Sequence, residues 1–379
     1  MKQKILRFIK GETVLCAAMA LAAVSMFFVT PDAGYLDYVD GRVLAILFCL
    51  MTVMGGFGGL GVFESIAAFL LKRTQNLRQL EFVLVFLCFF CSMFITNDVS
   101  LLTFVPFAIL TLKMAERRDE MVFVVVMQTI AANLGSMFTP IGNPQNLYLY
   151  NLTGMSLGGF LAYMAPYTLL SGVILAVLLF FRKTGKEKIV LILAEESRKR
   201  GKEARWKLGM YVLLFALSLL VVAHVLPCIA VLLIVFAAVW ITDRGALKNV
   251  DYCLLLTFVG FFVFIGNMER IPAVNEFLKH VVNGHELAAG VVTSQVISNV
   301  PAALLISGFT SDYGKLLLGV NFGGLGTLIA SMASLISYKL FGNANKERKK
   351  EYFLSFTGYN VFILVQLLAF YQLGLTFYQ

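Results

Sequence analysis

Short side chains bearing oxygens and amides cluster at four places where this sequence is otherwise apolar. Thr96, Asn97 and Asp98 form one cluster, and Thr139, Gly142, Asn143 and Asn146 a second. Ser298 and Asn299 form a third, and Thr327, Ser331 and Ser334 a fourth. Hydroxyl, amide and carbonyl oxygens suit a hard cation such as Na+, while the N–H groups that open a helix suit an anion. Thr96, Asn97, Asn143, Ser298 and Asn299 are therefore candidate Na+ ligands, and all twelve residues are candidates for binding a substrate or ion. Each alone also has a plainer reading as a helix cap or as a hydrogen bond between packed helices.

The clusters come in matched pairs, which favours a site. The stretch from Asn133 to Leu147 reads NLGSMFTPIGNPQNL, and that from Asn321 to Leu335 reads NFGGLGTLIASMASL. Laid together without a gap, Asn133 on Asn321 and Leu147 on Leu335, they share Asn, Gly, Thr, Ile and Leu. Each is preceded by a second polar break, Ile95-Thr96-Asn97-Asp98 in one half and Ile297-Ser298-Asn299-Val300 in the other. Duplicated, broken apolar segments are the sequence pointer to the substrate site of a secondary transporter. Thr139-Pro140 should end a helix, and Asn143 should cap a new half-helix that starts at Pro144 and carries Gln145 and Asn146 in its first turn. Pro301 suits the first turn after the Ser298-Asn299 tip.

Asp98 is the one acid expected near the middle of a bilayer. Ionised there it costs about 2.5–3.5 kcal/mol on insertion scales, so it needs a cation, a proton or a capping role. Val300 occupies the matching place. No Lys or Arg falls at that depth, so an anionic substrate would rely on helix N-termini and a bound cation. His224, His280 and His285 fall near the outer surface, and the six cysteines lie in apolar runs without zinc spacing.

The elements that must position these residues are membrane helices. The chain is 59% hydrophobic and only 14% charged, where soluble domains carry roughly 25% charge. Spans are expected near 12–29, 43–57, 119–138, 157–181, 208–225, 228–242, 252–267, 315–338 and 352–374. With the N-terminus in the cytoplasm, 27 of the 31 Lys and Arg lie on that side and four on the other, as the positive-inside rule requires. The C-terminus then lies outside the cell membrane. The net charge of +9 is thus a topological signal and does not point to nucleic acid. Residues 80–112 and 286–314 are too long for one span and too short for two, so each reads as a re-entrant hairpin with its polar cluster at the tip. A single long tilted helix is the alternative for 80–112.

The expected fold class is an all-α polytopic membrane protein with two inverted-topology repeats, each holding a re-entrant hairpin and a discontinuous helix. The first repeat fills 1–182 (hairpin 80–112, broken helix 119–150). A charged cytoplasmic linker fills 183–207. A linking span and the second repeat fill 208–379 (hairpin 286–314, broken helix 315–338).

On Thr96-Asn97-Asp98, Gly142-Asn143-Pro144-Gln145-Asn146-Leu147 and Ser298-Asn299-Val300-Pro301, the chain resembles the ion transporter superfamily of citrate, dicarboxylate and arsenite permeases, over about residues 40–374. In the dicarboxylate branch both tips resemble Ser-Asn-Thr. Here Asn97, Asn299 and Ser298 match, Thr96 nearly matches, and Asp98 and Val300 depart, closer to the arsenite-permease side. The resemblance implies a scaffold part, a mobile transport part with an elevator-like movement, and a homodimer. The function expected is secondary transport of a small anion (citrate, a dicarboxylate or arsenite) with Na+ or H+ as coupling ion and no cofactor. A Na+/H+ exchanger using Asp98 is the alternative. A membrane-embedded enzyme is the remote one, because His-Glu-x-x-His does not occur, nor do clustered carboxylates of the kind that hold Mg2+.

Overall fold

A computed structural model describes residues 12–182 and 202–377, and among these every regular element is a helix. The basic residues Lys2, Lys4, Arg7 and Lys10, and most of the expected linker (183–201), lie outside the described residues. The first half contains α1 (Thr13–Ser25), α2 (Gly41–Gly59), α3 (Val62–Leu71), α4 (Leu77–Cys91), α5 (Asn97–Met114), α6 (Met121–Ser136), α7 (Pro144–Thr153) and α8 (Leu157–Phe180). Next comes α9 (Lys202–Val222). The second half contains α10 (Cys228–Thr242), α11 (Tyr252–Glu269), α12 (Pro272–Val282), α13 (Glu286–Ile297), α14 (Asn299–Ser307), α15 (Tyr313–Gly323), α16 (Met332–Ala344) and α17 (Lys349–Phe377).

Among the described residues six helices are long and apolar enough to cross a membrane: Gly41–Gly59, Asn97–Met114, Leu157–Phe180, Glu203–Val222, Tyr252–Glu269 and Lys346–Gly374. Their outward faces carry exposed Leu169, Val173 and Phe180 on α8, and Leu354, Val361 and Val365 on α17. A soluble protein would have to bury such faces against other protein, whereas they suit the apolar interior of a bilayer. At the other extreme, all 16 residues of α6 are buried, as expected of a helix at the centre of a bundle.

Both expected interruptions occur, and their bounds correct the sequence reading. The 80–112 segment breaks at 92–96, but its second arm, α5, runs for 18 residues and is long enough by count to span, not a short arm. It nevertheless lies beside α4. Gln128 Nε2 on α6 donates to the carbonyl of Leu84 on α4 (3.1 Å) and to that of Phe104 on α5 (3.4 Å), so one amide bridges both arms. This excludes the single tilted helix. The second broken segment continues past 338, because α16 extends to Ala344.

The helices pack in a reciprocal way. In each half the first arm (α4 or α13) packs on the first broken half-helix (α6 or α15). The returning arm packs on the second half-helix of the other half, α5 on α16 and α14 on α7. The opening helices are exchanged too, with α1 on α11 and α10 on α2.

Candidate functional site

The breaks follow from local chemistry. Pro140 supplies no N–H, so α6 stops just before it. The chain then folds back so tightly that a Cβ on Gly142 would come within 2.1 Å of the Ser136 carbonyl oxygen. Asn143 caps α7 with Oδ1 accepting from the Asn146 backbone N–H (2.8 Å), and Pro144 fills the first turn. In the second half α15 ends at Gly323, and Gly326 adopts φ +112°, a conformation that favours glycine. Ser331 stands at the start of α16.

Two asparagines bring the breaks together. Asn133 Oδ1 accepts from Asn97 Nδ2 (3.1 Å) and Ser331 Oγ (3.0 Å), while its Nδ2 donates to Ser334 Oγ (3.2 Å). Asn321 Oδ1 accepts from Asn143 Nδ2 (3.2 Å), while its Nδ2 donates to Asn146 Oδ1 (2.7 Å). The gapless superposition of the two stretches converts one set into the other. It takes Asn133 to Asn321, Asn143 to Ser331 and Asn146 to Ser334. Each half therefore supplies a hub that binds the half-helix start of its counterpart.

The two breaks before α5 and α14 dock in parallel fashion. Thr139 Oγ1 donates to the Met93 carbonyl and Thr327 Oγ1 to the Gln295 carbonyl. A single register between the hairpins pairs Met93 with Gln295 and Asn97 with Asn299. The Asn97 backbone N–H donates to the Gly142 carbonyl (3.2 Å). Asn299 lies against the end of α15, where a Cβ on Gly324 would meet its Nδ2 at 2.9 Å.

Side-chain amides also close the carbonyl ends of the broken helices. Asn146 Nδ2 donates to the carbonyls of Ser136 (3.3 Å), Met137 (3.0 Å) and Thr139 (3.0 Å). Gln295 Nε2 donates to those of Gly323 and Leu325 (both 2.9 Å), and its Oε1 accepts from the Thr327 N–H (2.9 Å).

The structure thus brings Asn97, Asn143, Asn146, Ser331 and Ser334 into one buried network. Thr139 and Gly142 shape the turn beside it. Thr327 is exposed and holds the turn rather than joining the network. Thr96 makes no side-chain cap. Ser298 is buried with φ +75°, in a region costly for a residue with a Cβ, and Ser298 Oγ contacts Asn299 Oδ1 (3.4 Å). Asp98 lies in the first turn of α5, and its carboxylate has no hydrogen bond or ion pair among the described residues. Asn133, Asn321, Gln128, Gln145 and Gln295 are not among the candidates the sequence offers. The signal available was their amide type inside apolar helices, and Asn133 and Asn321 opened the two compared stretches.

Comparison with known proteins gives the family of the chain. Residues 5–312 match the citrate transporter family. The chain is 34% identical to an uncharacterized transporter of Methanocaldococcus jannaschii, over 80% of this chain and 81% of that one. It is 28% identical to the inner membrane protein YbiR of Escherichia coli, over 90% and 91%. It is 29% identical to a silicon efflux transporter of Oryza sativa, over 41% of this chain and 32% of that one. With its polar breaks set among apolar helices, the chain is an integral membrane transporter and belongs to the citrate transporter family.

Proposed function

We propose that the chain is a secondary active transporter that moves a small oxygen-rich anion, a carboxylate or an inorganic oxyacid, with Na+ or H+ as the coupling ion. The observation that carries this reading is the exchange of hydrogen bonds by which Asn133 binds Ser331 and Ser334 while Asn321 binds Asn143 and Asn146. Reciprocal contacts of this kind suit two inverted repeats whose re-entrant tips and half-helices share one site. The N-terminal ends of α7 and α16 are each held by one of these asparagines, and helix N-termini favour negative charge on the substrate. The tips and broken helices then form the moving part of an elevator, with α2 and α11 in the scaffold and a second copy of the chain as its partner. The reading puts the N-terminus in the cytoplasm and the C-terminus outside the cell membrane.

Asp98 supports a second reading. A carboxylate without a protein partner at the start of α5 is suited to a bound cation or proton, so Na+/H+ exchange at Asp98 is the alternative. Solid-supported-membrane electrophysiology on reconstituted protein separates the two. Jumps of citrate, succinate, sulfate, phosphate or arsenite, each with and without Na+, should give current for at least one anion, and Asn97→Ala and Asn299→Ala should abolish it. Silence for every anion, with a pH-dependent Na+ signal lost in Asp98→Asn, would replace the anion reading with the exchanger.

A further inference from the structure

Gln145 is 1% exposed, and both its Oε1 and its Nε2 are buried with no hydrogen-bonding partner. Among the described residues it is the one side chain with two such atoms. Buried amides are almost always paired, and each orphan needs an explanation. Its position supplies one. Gln145 follows Pro144 in the first turn of α7, directly after Asn143, which is tied to Asn321 of the other half. The Gly142 carbonyl just before that turn accepts from the Asn97 N–H, so the start of α5 and Asp98 adjoin it. Along the same helix every neighbouring amide is committed: Asn143 to Ser136 and Asn321, Asn146 to three carbonyls and Asn321.

We propose that Gln145 contacts the transported substrate and selects oxyacids that carry an O–H together with an acceptor oxygen. This rests on the anion-transport reading above. The amide offers donors at Nε2 and an acceptor at Oε1. A fully ionised oxyanion has oxygens for Nε2 but no proton for Oε1, and so leaves that acceptor buried and unpaired. A species that keeps a hydroxyl satisfies both ends. A site built to hydrogen-bond a substrate hydroxyl rejects the analogue that lacks it far more strongly than an apolar pocket does.

Phosphate and sulfate make the test, since they share size and tetrahedral shape and only phosphate retains a hydroxyl at neutral pH. Competition by each against the anion that gives current in wild-type proteoliposomes reads their relative binding. Phosphate should compete at least tenfold better than sulfate. Gln145→Met, which keeps the length and removes both polar atoms, should bring the two within about twofold. Gln145→Glu, which keeps an acceptor and removes the donors, should weaken both anions at least tenfold. Size-exclusion profiles of the purified variants check folding, and Gln145→Glu covers the case in which Gln145→Met does not fold. Equal competition by sulfate and phosphate in the wild type, or unchanged discrimination in Gln145→Met, overturns the assignment. Absence of any anion-driven current in the wild type overturns the transport reading, and the assignment with it.

Discussion

Replacing Asn133 with alanine removes the hub that joins the first tip to the second half. Three hydrogen bonds disappear, from Asn97, from Ser331 and to Ser334. Their partners are 5%, 1% and 0% exposed, so water cannot readily substitute. An intramolecular hydrogen bond contributes about 0.5–1.5 kcal/mol net, and a buried orphan costs about 1–3 kcal/mol. The two serines can turn toward helix carbonyls, whereas Asn97 Nδ2 has no other partner among the described residues, which gives a total cost of about 2–4 kcal/mol. Asn321→Ala removes the matching bonds to Asn143 and Asn146, plus one to the Leu317 carbonyl. Its cost should agree with that of Asn133→Ala to within about 1 kcal/mol, because the lost contacts are equivalent. Thermal melting in detergent is the assay, with Asn151→Ala as control, since its half-buried amide donates to the Leu147 carbonyl within its own helix. Both hub variants should melt about 2–5 °C below the wild type, and the control within about half a degree. A hub variant as stable as the control would show that Asn133 and Asn321 do not join the two halves.

Gly142→Ala should abolish transport, because its Cβ collides with the Ser136 carbonyl, whereas Gly358→Ala, with nothing within 4 Å, should transport normally and gain about 0.5–1 kcal/mol in helix stability by melting. Glu81→Gln removes the fully buried acid that accepts from Arg182 Nη1 at 3.1 Å. Arg182 keeps its pair with Glu120 and its place over the Phe123 ring, so the loss should be about 1–3 kcal/mol, less than for a fully broken buried pair. Asp32 accepts a hydrogen bond from Arg270, which holds its carboxyl below the usual carboxylate range. A lowered folded-state value places this contribution in force above the ordinary carboxylate pKa and removes it as pH falls through the lowered one; Asp32→Asn should therefore shift melting equally at pH 6 and pH 8, and less at pH 3.

The polar breaks were legible because they rest on residues with strong local meaning. Pro140, Gly142 and Pro144 interrupt a helix wherever they occur, and Asn143 caps in the way its type predicts. The match between the Asn133 and Asn321 stretches was visible too. What it would hold together was not, because Asn133 and Asn321 acquire their partners only through contacts between distant halves of the chain. Gln128 and Gln295 escaped notice for the same reason: a lone glutamine in an apolar helix does not announce which carbonyls it will reach. Thr327 was grouped with the site by its alignment to Thr139, yet the softer second break leaves it exposed. The length of α5 was misjudged because Asn97 and Asp98 begin that helix rather than forming a turn before it.

Sided thiol labelling tests whether two oppositely oriented halves present their tips to one shared site. Gln75, before α4, and Ser311, after α14, are both exposed at the bases of the two hairpins. With Gln75→Cys and Ser311→Cys, a membrane-impermeant thiol reagent should label position 75 only from the cytoplasmic side and position 311 only from outside. Labelling of both from one side would contradict the inverted arrangement and, with it, the shared site.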